Sequence, residues 1–226
     1  MKRVAIHGFV PDSLGDFVDY VGKHPDAEVW GYNASSRLRN SRYDRWYEMH
    51  AERALGDDWA NLKRAKCRVV MQRVHQRVPR SEAYPIDAAK ALLVYPYITN
   101  TVTLMVAHAI LDGFEEIALF GVDMAVRMGD GPSELSEQRP SVEFALGIAI
   151  GRGLSIVIPG GSDLLKTNVV YGYDEHVDSL HTRLRRRHEW LMRQRDRYQG
   201  LADVYRGAAD EIDGIVVRYL SENEKA

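Results

Sequence analysis

Apolar residues along this chain come in short continuous runs separated by polar turns. Val4 to His7, Glu28 to Tyr32, Arg45 to Met49, Arg68 to Gln72, Glu116 to Phe120 and Leu154 to Ile158 read as strands, and most are continuous enough to be buried on both faces. Helical segments are predicted between them: about Asp12 to Gly22, Glu52 to Lys66, one from Thr99, and one opening at Pro140 and closing at Gly153. Val74 to Pro96 carries Pro79, Pro85 and Pro96 and reads mostly as loop, as does the polar stretch Arg127 to Glu137. Strands alternating with helices predict an α/β fold, Rossmann-like, with a mostly parallel sheet and helices on both faces.

The pattern changes after Asp174. From His176 there is no proline, and Trp190, Leu191, Gln194, Tyr198, Leu201, Val204, Tyr205, Ala208, Ile212, Ile215, Val216 and Tyr219 recur at spacings of three and four. This predicts a helical C-terminal extension: an amphipathic helix, or a helical hairpin broken near Gly200 or Gly207. The expected division is residues 1–174 as a nucleotide-binding domain and 175–226 as the extension. The apolar stripe is longer than the α/β core needs for coverage, so a homo-oligomer through this helix is expected. The basic run Arg183 to His188 reads as a solvated helical face rather than a phosphate-contacting patch.

Composition narrows the class. With 226 residues, 45% hydrophobic and 27% charged, the chain can bury one sizeable core. A net charge of −2 gives no general reason to expect nucleic acid or membrane as partner. Cys67 is the one cysteine, which fits a reducing cytoplasm and excludes an internal disulfide. No apolar run reaches the ~20 residues of a membrane span. Met1 to Gly8 is expected to be a first strand and turn, not a leader.

In a parallel sheet the strand C-terminal ends share one edge, where open α/β folds bind nucleotides. That edge gathers Gly8, Pro11 and Ser13 after the first strand, Asn33 after the second, His50 after the third, and Gly121-Val122-Asp123 later on. The helix start Thr99-Asn100-Thr101 adds N–H groups that favour an anion. Gly8 permits close backbone approach, and Asn33 can both donate to and accept from a base or ribose. The first loop is neither a Gly-x-Gly-x-x-Gly fingerprint nor a Walker A loop. No Cys/His cluster has zinc spacing, and Asp123 lacks a carboxylate two residues away, so no metal site is expected. An imidazole at His50 can accept a proton near neutral pH; its structural alternative is a hydrogen-bonded strand-end histidine. Asp123 can orient a hydroxyl or cap a turn. Arg139, with Gln138, can hold a phosphate or carboxylate, while Glu143 can face substrate or complement the helix dipole. Ser162, with Asp163, can close a pocket or form a turn. His108 and Trp46 read as core.

These motifs, in this order, resemble the glycosyltransferase family 42 sialyltransferases and the related 6-hydroxymethylpterin pyrophosphokinase-like proteins. The resemblance covers roughly residues 2 to 166. His7 to Ser13 stands for the family's Gly-Asn-Gly-Pro-Ser loop, Asn33 for its nucleotide-contacting Asn, and His50 for a further Asn. Ile98 to Thr101 stands for its Ile-Thr-Ser-Gly helix start, and Gly121-Val122-Asp123 for its Gly-Ile/Val-Asp strand end. The stretch Val142 to Pro159 with Ser162-Asp163-Leu164-Leu165 is similar to its closing helix, strand and Pro-x-Ser-x-Leu turn. With Arg45 to His50, Gln138 to Ser141 and Tyr171-Gly172-Tyr173, the pattern looks like uncharacterised bacteriophage proteins, which implies a host cytoplasm. The resemblance implies a metal-independent transferase using a nucleotide-activated donor, a nucleotide sugar, as substrate, with no separate cofactor. His50 and Asp123 are its candidate catalytic groups. Two departures stand out: the family's loop histidine is missing between Arg127 and Glu137, where Ser133 falls nearest, and so is the first-loop Asn. An ATP-dependent pyrophosphokinase, or a nucleotide-binding or assembly protein without catalysis, are the rival readings.

Overall fold

A computed structural model of the chain describes residues 1–10, 13–39, 42–56, 58–124, 134–166, 170 and 180–223. Two compact units emerge, Met1–Lys166 and Thr167–Ala226. The expected division after Asp174 lies outside the described residues.

The first unit is built on seven strands: β1 (Arg3–His7), β2 (Glu28–Tyr32), β3 (Arg45–Glu48), β4 (Arg68–Met71), β5 (Ser81–Ala83), β6 (Glu116–Phe120) and β7 (Ser155–Val157). Every pairing is parallel, in the order β5-β4-β3-β2-β1-β6-β7. The helices are α1 (Leu14–Lys23), α2 (Asp58–Lys63), α3 (Ile86–Leu93), α4 (Thr101–Leu111) and α5 (Glu134–Gly151). Burial explains the apolar middles of these strands: all five residues of β6 and all four of β3 are buried, with the charged Glu116, Arg45 and Glu48 at their ends. The main core joins β1, β2, β3 and β6 to α4 and α5, with Trp30, Tyr47, Met105 and Leu146 fully enclosed. Trp46 is fully buried in a second cluster with Tyr43 and Leu62, as its core reading requires.

The stretch after Val74 departs from the loop expectation. It holds β5, which pairs Ser81 to Val69 and Ala83 to Met71, and then α3, which starts directly after Pro85. Pro85 is the N-cap of α3, where a missing N–H costs nothing, and Pro79 and Pro96 lie outside both elements. Pro140 does not open its helix either. It lies inside α5, which begins at Glu134 within the expected loop Arg127 to Glu137; the polar residues ahead of Pro140 carry no apolar period to announce a helix, and 127–133 lie outside the described residues.

The second unit contains α6 (Leu180–Asn223), one continuous helix of 44 residues without a break at Gly200 or Gly207. Among the described residues no helix is long and apolar enough to cross a membrane.

Candidate functional site

From β1 the chain winds outward through β2, β3, β4 and β5 on one side, and β6 and β7 lie on the other. The winding therefore reverses between β1 and β6, and in open α/β sheets the crevice beyond the strand ends at such a point is the usual ligand site. At this reversal Gly8 N–H donates to the Phe120 carbonyl at 2.7 Å, and Val10 N–H to the Gly121 carbonyl at 3.0 Å. A Cβ on Gly8 would lie 2.2 Å from the Gly121 carbonyl oxygen, and Gly121 itself has φ +66°. The room that glycine makes here is filled by the neighbouring backbone. Ser13 Oγ accepts from the Gly121 N–H and ties the first loop to the same spot. Pro11 lies outside the described residues.

A cavity of about 30 Å³ opens beside this knot, lined in part by Ser13, Asp16, Asp123 and Ser162. Ser162 Oγ donates to the Val122 carbonyl at 3.1 Å, holding the turn after β7 against the end of β6.

Asn33 follows β2 with φ +53°, a left-handed backbone that Asn tolerates better than most residues. Its N–H donates to the Tyr47 carbonyl at 3.0 Å, and its Oδ1 lies 3.5 Å from Thr101 Oγ1. The end of β2 thus meets the first residue of α4. Asn100 is the N-cap of that helix: its Oδ1 accepts from Thr103 N–H at 2.9 Å. Its Nδ2 donates to the Gln138 carbonyl at 3.2 Å and to Thr99 Oγ1 at 3.4 Å. Both ends of this amide hold the helix start in place, so what α4 presents outward is its backbone dipole rather than the Asn100 side chain. Thr99 N–H donates to Ser141 Oγ at 3.3 Å. Ser141 is fully buried, pairs with Thr103 Oγ1 at 2.8 Å and donates to the Tyr97 carbonyl at 2.9 Å, so α5 braces the same helix start.

Arg139 is held from three directions. Its Nε donates to Glu143 Oε1 at 2.8 Å, Nη1 to Asp163 Oδ2 at 2.9 Å, and Nη2 to the Asp163 carbonyl at 2.6 Å. Asp163 also accepts from Met124 N–H at 3.0 Å, and Glu143 from Leu165 N–H at 2.9 Å. One guanidinium with two carboxylates therefore fastens α5 to the turns after β6 and β7.

His50 stands apart from these groups. It lies past the end of β3, three strand steps from β6, or roughly 14 Å at ordinary strand spacing. Its Nδ1 is 2.6 Å from Glu48 Oε1, and the same oxygen accepts the His50 N–H at 3.2 Å. Glu48 is 1% exposed while the imidazole is 53% exposed. The ring borders a cavity of about 350 Å³ shared with Arg53, Gln72, Arg73 and His75. Glu52, on the same rim, pairs with Arg73 and lies 3.3 Å from His75, and these neighbours hold its carboxyl below the usual range. Ser13, Asp123 and Ser162 thus line one cavity and His50 the other, while Gly8, Asn33, Thr99, Asn100 and Thr101 line neither. Glu48 escaped the sequence reading, although residues two apart on extended backbone share a face and that spacing was a usable signal.

Two other histidines belong to the framework. His108 is buried in α4 with Nδ1 2.8 Å from Tyr47 Oη, and burial lowers its pKa to about 4. His7 stacks on Phe17 at 4.0 Å and meets Arg37 Nη2 at 2.9 Å; burial, then the guanidinium, lowers it to about 4. Among the described residues no three His, Cys, Asp or Glu side chains gather where they could hold a metal ion.

No protein-family model matches the chain, and no curated protein does. Among solved structures, it is similar to the sialyltransferase CstII from Campylobacter jejuni in complex with the substrate analogue CMP-3FNeuAc. That likeness has 15% sequence identity and a TM-score of 0.43, and spans 75% of this chain and 92% of the other. At this level it assigns no role to any residue.

Proposed function

We propose that this protein is a transferase that takes a nucleotide-activated donor, a nucleotide sugar, and passes the activated group to an acceptor hydroxyl without a metal ion. The observation that carries the reading is the meeting of Asn33 with the start of α4 at the edge where the sheet winding reverses. A hydrogen-bonding amide beside the positive end of a helix suits a nucleoside phosphate. Gly8, Ser13, Thr99, Asn100 and Thr101 shape the nucleotide side through the backbone they hold in place, and Pro11 is assigned to it with them. Gln138, Arg139, Glu143 and Ser162 frame the substrate side, with Arg139 acting through its clamp on the loops.

His50 is the base in this reading. Glu48 accepts the Nδ1 proton, which leaves Nε2 with its lone pair toward the cavity. Nε2 takes the acceptor's hydroxyl proton as that oxygen bonds to the anomeric carbon. The bond from that carbon to the phosphate oxygen breaks, and the nucleotide leaves carrying the electron pair, its charge facing the α4 dipole. Asp123 orients the ribose at the other cavity.

Calorimetry with CMP, UMP, GDP, AMP and their sugar conjugates tests the reading, together with turnover in EDTA. Binding of one nucleotide and its sugar conjugate, with transfer unchanged by EDTA, is the expected result. Turnover lost in EDTA and restored by Mg²⁺ with ATP as donor would replace this reading with the pyrophosphokinase. Tight binding with no transfer to any hydroxyl acceptor would leave a non-catalytic nucleotide-binding protein.

A further inference from the structure

The described large apolar residues exposed along α6 are Leu184, Leu191, Tyr198, Tyr205 and Ile212, each between 48% and 69% exposed. They stand seven residues apart without exception. The positions three residues after each are Arg187, Gln194, Leu201, Ala208 and Ile215. A straight helix has 3.6 residues per turn, so a strict seven-residue repeat drifts about 20° per repeat. Over this length the stripe would wind away from any flat surface beneath it. It stays in register only with a helix that supercoils around it. Gly200 and Gly207 weaken the helix from within, so its continuity over 44 residues calls for packing that propensity does not supply. Gln194, at one of the offset positions, keeps Oε1 out of solvent without a hydrogen-bond partner in the single chain.

Charge sets the direction of the pair. Residues 180–201 hold seven arginines against Glu189 and Asp196, whereas 202–223 hold two arginines against Asp203, Asp210, Glu211, Asp213 and Glu222. Two copies in parallel would set the basic halves side by side. Antiparallel copies set each basic half against an acidic one. We infer that α6 is the strand of an antiparallel two-stranded coiled coil and that its occupant is α6 of a second copy of this chain.

The test uses the full chain. Light scattering at micromolar concentration should give twice the 25.7 kDa chain mass. The double variant Leu191→Glu/Tyr205→Glu should give the single mass, because it places carboxylates in the seam while leaving the α/β unit untouched. Circular dichroism and the melting of the α/β unit check that this variant is folded. Spin labels on Arg185→Cys report orientation, since Cys67 is buried. At 1.5 Å per residue, antiparallel helices place the labels on the order of 50 Å apart, and parallel ones within about 20 Å. A monomeric intact chain, a dimer that survives the double variant, or a short label distance would each overturn the proposal.

Discussion

Glu48 and His50 form a carboxylate–imidazole pair in which the carboxylate is buried and the imidazole is not. Their separation of 2.6 Å fixes the ring by its Nδ1 and turns the opposite nitrogen outward. If His50 is the base, His50→Ala should lower kcat by roughly 10²–10⁴-fold, the usual contribution of general base catalysis. Glu48→Gln should lower kcat with little change in KM, because the ring loses its orienting partner. Unchanged kcat in both variants would remove this pair from the chemistry.

Asn33 combines a left-handed backbone with a side chain aimed at the start of α4. Asn33→Gly keeps the backbone relaxed and deletes the amide. Nucleotide affinity should fall by roughly 1–3 kcal/mol, the cost of leaving a partner unpaired. Calorimetry on a variant with an unaltered melting temperature reads this directly, and an affinity equal to that of the parent would move the nucleotide elsewhere.

Gly8→Ala addresses the fold. The added methyl would meet the Gly121 carbonyl, which is backbone and cannot swing aside. A loss of about 3 kcal/mol is expected, the upper part of the overpacking range. For a chain of this size that corresponds to about 6–12 °C in melting temperature. A melting curve superimposable on the parent's would show that the β1 and β6 ends are not packed this closely.

Acid should destabilise the α/β unit. His7 and His108 titrate near 4 in the fold against 6.5 for ordinary histidine. Between those values the unfolded chain binds protons that the folded chain refuses, so stability falls as pH drops from 6.5 to 4 and is fully present above 6.5. Urea unfolding across this window should show the decline, and His108→Gln should flatten part of it. A profile equally flat in parent and variant would mean that these imidazoles are solvated.

Much of the scaffold is legible in the sequence, because a strand buried on both faces is apolar along its middle, with charged residues only at its ends. Val29 to Tyr32 illustrates this, and the Asn100 cap announces α4. The sharing of one edge by Gly8, Asn33, His50 and Asp123 also follows, since a parallel sheet aligns its strand ends. Other features required the folded chain. Ser81–Ala83 is too short and polar to read as a strand, and it is one only because β4 offers an open edge to pair with. The reversal between β1 and β6 is a matter of strand order, which local pattern does not encode. The separation of His50 from Ser13, Asp123 and Ser162 in two cavities, and the engagement of Arg139 by Asp163, depend on distances between segments apart in sequence. Periodicity and capping are local and are written in neighbouring residues; strand order, cavities and ion pairs come from long-range packing, which those neighbours do not determine.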